Sequence, residues 1–308
     1  MTAIVVHGGA GHFADGRVGR VRDGCRQAAA AGFAVLAQGG AALDAAQAAV
    51  RALEDDPEFN AGHGAVLTRA GTAEMDAALM CGATSRFGAI AAMANARNAI
   101  DIARAVLDDG EHVLLCAGGA WDFARERGFA PADAAAIVTE RARERLARAA
   151  AEAGRAVPER DPGTVGACAI DSRGHVAAAT STGGMTYKRP GRIGDTPLCG
   201  CGTFASGAGA ASATGEGEAI IRITMTRFCV DAMARGLSAE DAAWAAIDEL
   251  GDKVGGEGGI ICVDGAGRVG AAHNASRMAF ASVIAQPSGE LLTRDGVTVA
   301  RAATLANV

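Results

Sequence analysis

The chemistry this sequence offers begins with a threonine placed to become the first residue of a chain. In Gly163-Thr164-Val165-Gly166-Ala167-Cys168-Ala169-Ile170-Asp171, Thr164 opens an apolar run. It follows residues 154–163, GRAVPERDPG, a stretch of helix breakers and turn formers that reads as an exposed, cuttable loop. A threonine hydroxyl is a weak nucleophile, and an adjacent α-amine activates it only when the threonine is N-terminal. That amine titrates at roughly 7.7 to 8.0, so an appreciable fraction is neutral near physiological pH. Cleavage between Gly163 and Thr164 would therefore give one residue both nucleophile and base. Taken alone, a Gly-Thr pair is far more often an ordinary strand edge.

Further motifs decide between these readings. Ser181-Thr182-Gly183-Gly184-Met185-Thr186 follows a second strand, Gly191-Arg192-Ile193-Gly194-Asp195 lies in a loop, and Ala213-Thr214-Gly215-Glu216-Gly217-Glu218 opens a helix. With the early Phe59-Asn60-Ala61-Gly62 and the span from His7-Gly8-Gly9-Ala10-Gly11 to Gly258-Gly259, this order resembles the plant-type asparaginase and isoaspartyl peptidase family of N-terminal-nucleophile hydrolases. The resemblance covers nearly the whole chain.

The resemblance implies an α/β fold of four layers, an αββα sandwich. It also implies an N-terminal half, 1–163, ending in the cleavable linker, a C-terminal half, 164–308, beginning with the nucleophile, and one structural domain made by both. Thr164 would attack a side-chain amide, Thr182 would lie near the new amine, and Thr214 with the Gly215 backbone would form the oxyanion hole. A glycine-rich turn entering a helix suits that last task, because it presents free N–H groups to developing negative charge. Arg192 would fork the substrate α-carboxylate, Asp195 would take its α-ammonium, and the Gly217 carbonyl would add a contact. No organic cofactor is implied. A structural sodium ion is, held largely by backbone carbonyls of a loop containing Leu53, Glu54, Asp56, Phe59, Ala61 and His63. Substrates would be L-asparagine and β-aspartyl dipeptides, and the assembly a homodimer of cleaved units. Two alternatives stand beside this: a glycosylasparaginase-like amidase, and an unprocessed homologue that binds amino acids without turnover. Tyr187 and Cys81 replace an asparagine and an aspartate expected in close relatives, which bears on substrate preference.

These groups need a framework, and the chain can supply one. Half of its 308 residues are apolar and 21% charged, as in a globular protein with a substantial core. Its 43 glycines predict many tight turns. The net charge of -6 and the interleaved Arg and Glu residues of 140–152 argue against a nucleic-acid partner. No apolar run reaches membrane-span length and the first residues lack a signal-peptide pattern, so a cytoplasmic protein with reduced cysteines is expected. Strands are expected at 3–7, 164–171 and 175–182, and helices at about 18–38, 41–54, 97–109, 119–128, 131–153, 216–235 and 238–250. Ile170-Asp171-x-x-Gly174-His175-Val176 recurs as Val263-Asp264-x-x-Gly267-Arg268-Val269, predicting two similar hairpins. That rules out a nucleotide-binding reading of Gly265–Gly270, which a strand follows and not a helix.

Overall fold

A computed structural model describes residues 1–152, 163–286 and 288–299, so most of the expected linker lies outside the described residues. The N-terminal half contributes β1 (Thr2–Gly11), α1 (Val18–Ala37), α2 (Ala42–Asp55), β2 (Glu74–Cys81), β3 (Phe87–Ala94), α3 (Ala99–Asp109), β4 (Leu114–Cys116), α4 (Ala117–Glu126), α5 (Ala134–Ile137) and α6 (Glu140–Glu152). The C-terminal half contributes β5 (Val165–Ile170), β6 (Val176–Thr182), β7 (Thr203–Ser206), β8 (Gly209–Gly215), α7 (Gly217–Ile223), α8 (Met225–Ala234) and α9 (Ala239–Val254). The last strands are β9 (Gly258–Asp264), β10 (Val269–His273), β11 (Arg277–Ala285) and β12 (Leu291–Val299).

Strands from both halves interleave in one eight-stranded sheet, ordered β12-β11-β1-β5-β6-β2-β3-β4, and a four-stranded sheet, β10-β9-β8-β7, faces it. One apolar cluster lies between α1–α3 and the large sheet. A second lies between the two sheets and under α8 and α9. Two sheets covered by helices form the expected αββα sandwich. The central strands are apolar at successive positions because both their faces are buried; every residue of β5 and β6 is. Small residues set the close spacing of the layers. A Cβ on Gly32 of α1 would strike Ile4 and the Ala45 carbonyl, so only glycine lets α1, α2 and β1 meet there.

Two expected helices are broken. The stretch 131–153 is α5 and α6 with Pro131 outside both, because Asp133 caps Ala135 N–H (3.0 Å) and Thr139 caps Ala142 N–H (3.2 Å), starting a helix twice. The stretch 216–235 divides into α7 and α8 at Thr224, whose φ of 48° interrupts the helix. β12 had no counterpart among the expected elements. It is an edge strand paired only with β11 among the described residues, and the Thr293-Arg294-Asp295-Gly296 stretch at its centre carries little strand signal. The twin hairpins do form: Asp171 accepts from Arg173 and His175 N–H, Asp264 from Ala266 and Arg268 N–H, and Gly174 and Gly267 take φ near +80°. No described helix is long and apolar enough to cross a membrane.

Candidate active site

Pairing of β5 with β1 on one side and β6 on the other carries Thr164 to the rim of the large sheet. Thr164 is 8% exposed, and its Oγ1 donates to Thr182 Oγ1 at 3.2 Å. Thr182, at the end of the neighbouring β6, also accepts Gly184 N–H at 2.9 Å, so its oxygen is held from two sides. Gly163 lies against Asn60, and a Cβ there would run into the Asn60 amide. Asn60 is itself tied down: Nδ2 donates to Gly184 O (2.7 Å) and Oδ1 accepts Val66 N–H (2.8 Å).

A cavity of about 310 Å³ opens over these groups. Gly163, Thr164, Thr182, Thr214, Gly215, Arg192, Asp195 and Gly217 all line it, so every residue singled out for cleavage, catalysis or substrate binding borders one space. Thr214 ends β8 in the smaller sheet. Its Oγ1 accepts Ala10 N–H at 3.3 Å, which leaves its own proton free to donate. Gly215 follows at φ 139°, a conformation favouring glycine, and a Cβ there would meet the Glu257 carbonyl and Gly258.

The charged groups sit at the opposite wall. Asp195 is 5% exposed, one of its oxygens has no hydrogen-bond partner among the described residues, and burial pushes its pKa up to about 7 despite the nearby Arg192 guanidinium. Arg192 Nε and Nη2 pair with Glu218 at 2.9 and 2.8 Å. A Cβ on Gly217 would come within 2.7 Å of Arg192 Nη2 and 2.9 Å of Asp195 Oδ1. Glycine at 217 therefore lets a cation and an anion converge on one point.

Other contributors escaped the sequence reading. Glu74 and Asp76 point from β2 into the loop carrying Arg192 and Asp195: Glu74 Oε2 accepts Gly191 N–H at 2.9 Å and Asp76 Oδ2 accepts Gly194 N–H at 3.2 Å. Buried Lys188 donates to the Glu74 carbonyl at 2.9 Å, and its desolvation lowers its pKa. Two acids alternating inside an otherwise apolar strand were the available signal. His7 is another. It lies beneath Gly166, hydrogen-bonded to Ser212 Oγ at 2.9 Å, and burial drives its pKa down to about 3. Neutral at physiological pH and held to Ser212 through Nε2, with Nδ1 unpartnered among the described residues, it braces the sheet under Thr164.

The expected cation loop turns back on itself. Glu54 O accepts His63 N–H at 2.7 Å, and Gly64, at φ 122°, packs so that a Cβ would sit 2.6 Å from both the Pro57 and Phe59 carbonyls. The Glu54 side chain turns inward to Ser181 Oγ (2.5 Å) and Ile100 N–H (3.0 Å), and burial raises its pKa to about 8. Of the two departures, Tyr187 adopts φ 64° with Arg69 stacked on its ring at 5.3 Å, and Cys81 is a half-buried free thiol at the end of β2. Nothing in the structure explains the Cys81 substitution.

The family model described as asparaginase matches residues 1–293. Among curated relatives, the isoaspartyl peptidase/L-asparaginase of Xenopus laevis is 43% identical over 282 residues, 91% of each chain. The protein of the same name from Bos taurus is 42% identical, over 91% of this chain and 92% of its own. A plant-type L-asparaginase of Thermococcus kodakarensis is 43% identical, over 91% of this chain and 96% of its own.

Proposed function

This chain belongs to the asparaginase family of N-terminal-nucleophile hydrolases, and from that premise we propose that Thr164 is both the residue freed by self-cleavage and the nucleophile of an L-asparaginase and isoaspartyl peptidase. The observation that supports this most is the Thr164 hydroxyl, paired with Thr182 at the head of a buried strand, in the same cavity as a free hydroxyl donor and a converging cation and anion.

In cleavage, the Thr164 hydroxyl oxygen attacks the Gly163 carbonyl carbon, the peptide C–N bond breaks, and the hydroxyl proton passes to the departing amine. Water then hydrolyses the resulting ester, leaving a Gly163 carboxylate and a free Thr164 amine. In turnover that amine accepts the hydroxyl proton as the oxygen attacks the substrate's side-chain amide carbon. The oxyanion takes a hydrogen bond from Thr214 Oγ1, whose acceptor side is already occupied by Ala10 N–H, and one from the Gly215 backbone. Ammonia or an amino acid leaves with the transferred proton, and water resolves the β-aspartyl ester to aspartate. Arg192 and Asp195 hold the α-carboxylate and α-ammonium, with the Gly217 carbonyl beside them. Thr214→Val keeps the shape and removes the donor, so it is expected to lower kcat by about 10² to 10³-fold with little change in KM. Steady-state kinetics at saturating L-asparagine read this directly, and an unchanged kcat would remove Thr214 from the oxyanion hole.

A hard monovalent cation at the loop 53–63 is supported by the Pro57 and Phe59 carbonyls, which both turn toward Gly64. Sodium bound by backbone carbonyls of Leu53, Glu54, Asp56, Phe59, Ala61 and His63 would fix the turn that presents Asn60 to Gly163. Replacing sodium with choline at equal ionic strength is expected to lower Tm. An unchanged Tm would count against the ion. A homodimer of cleaved units is part of the same proposal.

A panel of L-asparagine, β-aspartyl dipeptides and N-glycosylated asparagine tests the substrate class. Turnover of the first two and not the third is expected, and preference for the glycosylated compound would make the enzyme a glycosylasparaginase-like amidase instead.

A further inference from the structure

The two sheets differ in width, and the overhang leaves a second cavity. β9 and β10 close over β1, and β10 reaches on over β11 and, through His273, to Thr298 of β12; no strand of the smaller sheet lies beyond β10 among the described residues. There a space of about 270 Å³ is bounded below by Val5, Phe280, Ser282 and Arg294, and above by β10 and the first turns of α9, which contribute Glu240 and Trp244. Ser282 pairs in register with Val5 and with Arg294, so these three side chains share the inward face. The adjacent Asp295 lies on the other face, within 4.0 Å of Arg22 and Arg26 of α1.

Three polar groups in this space are unusual. Ser282 is 2% exposed and its hydroxyl has no hydrogen-bond partner among the described residues. Arg294 has no hydrogen bond or ion pair among the described residues. Glu240 Oε1 accepts Trp244 Nε1 at 3.3 Å and fixes the indole as a wall. His273 contributes no charge: its nitrogens are spent on Ala275 O (2.9 Å) and Thr298 Oγ1 (2.8 Å), and burial lowers its pKa. A single cation with a carboxylate and two aromatic rings does not suit a phosphate or a nucleotide. It suits a small zwitterion bearing an apolar side chain, and a buried, unmet hydroxyl supplies a donor for a carboxylate.

We propose that this cavity binds a free α-amino acid with an apolar side chain, Arg294 and Ser282 taking the carboxylate, Glu240 the ammonium, and Trp244 with Phe280 the side chain. Its floor residue Val5 is two positions from His7 on β1, so an occupant touches the strand that braces the nucleophile.

Calorimetry with L-leucine tests this, using the full chain carrying Arg192→Ala so that the carboxylate fork of the catalytic cavity is gone. Saturable binding is expected. It should weaken by at least about tenfold in a further Arg294→Gln or Glu240→Gln variant, and equally for N-acetyl-leucine and leucinamide, each lacking one charge. Arg294 is exposed, so its replacement is not expected to affect folding, which an unchanged Tm verifies. Absence of saturable binding at millimolar leucine would overturn the proposal. So would binding indifferent to Arg294→Gln, or leucine binding to wild type that disappears with Arg192→Ala. None of these results touches the role of Thr164, because neither Arg294 nor Glu240 lines the catalytic cavity.

Discussion

A chain carrying Thr164→Ala is expected to hydrolyse L-asparagine at least about 10⁴-fold more slowly than wild type, with KM no longer measurable as a separate quantity. The size follows from what one substitution removes. The hydroxyl is the nucleophile, and Thr182 Oγ1 is already an acceptor for both Thr164 Oγ1 and Gly184 N–H, while His7 is buried, neutral and carries no hydroxyl to replace it. The amine that acts as base is lost as well, since without the hydroxyl the Gly163–Thr164 bond is not expected to break. Thr164→Ser separates these effects. It keeps the hydroxyl and should retain measurable turnover, whereas an alanine variant with wild-type kcat would place the nucleophile elsewhere. Circular dichroism should be the same for all three, because losing one methyl and one hydroxyl at the start of β5 opens little space.

Arg192→Ala is expected to reduce kcat/KM by about 10² to 10³-fold, most of it in KM. Losing a charge-assisted, bidentate contact to a carboxylate removes roughly 3 to 4 kcal/mol when the partner is left in a desolvated site. In the free protein that fork is directed at Glu218, whose side chain is 64% exposed and can yield to a substrate carboxylate. Asp195 gives the companion prediction in pH. With its pKa raised to about 7, the carboxyl is increasingly protonated below that pH and cannot pair with an ammonium. The ratio of kcat/KM between wild type and Asp195→Asn should therefore climb as pH rises toward about 7 and level off above it. Stability runs the other way. A raised carboxyl pKa means the folded chain holds its proton longer than the unfolded one, so stability is present below the ordinary value of 3.8 and lost as pH rises through about 7. The Tm of Asp195→Asn should gain on wild type between pH 5 and pH 8. A constant difference in Tm across that range would show that Asp195 is not buried as an acid.

Asp195 also shows why some of this site could be read from the sequence and some could not. Thr164, Thr182, Thr214, Arg192 and Asp195 sit in short glycine-rich segments whose order along the chain is distinctive, and the structure brings them around one cavity. Their surroundings are set by long-range pairing. Asp76 reaches Gly194 across 118 positions, and Asn60 reaches Gly184 across 124. No local period reveals such contacts. The continuous apolar runs of β1, β5 and β6 were legible because they are local, as is the start of α9, where Ser238 caps Asp241 N–H at 3.1 Å. The order of eight strands drawn from both halves was not, nor was the edge strand β12. Where helices broke at Val138 and Thr224, the apolar spacing continued through the break, so the period alone could not mark it. Tyr187, a bulky residue at positive φ, went against local preference beside the site, and its strain is set by the hydrogen bond of its N–H to Leu67 O at 2.8 Å.

The central claim, that Thr164 becomes an N-terminal nucleophile, is tested most directly by the intact mass of the purified protein under denaturing conditions, followed over days beside the Thr164→Ala variant. Two fragments meeting at Gly163 and Thr164, the second beginning Thr-Val-Gly-Ala, should accumulate in wild type and be absent from the variant. A wild-type chain that stays whole while hydrolysing L-asparagine would contradict the account, because its threonine would then have no free amine to serve as base.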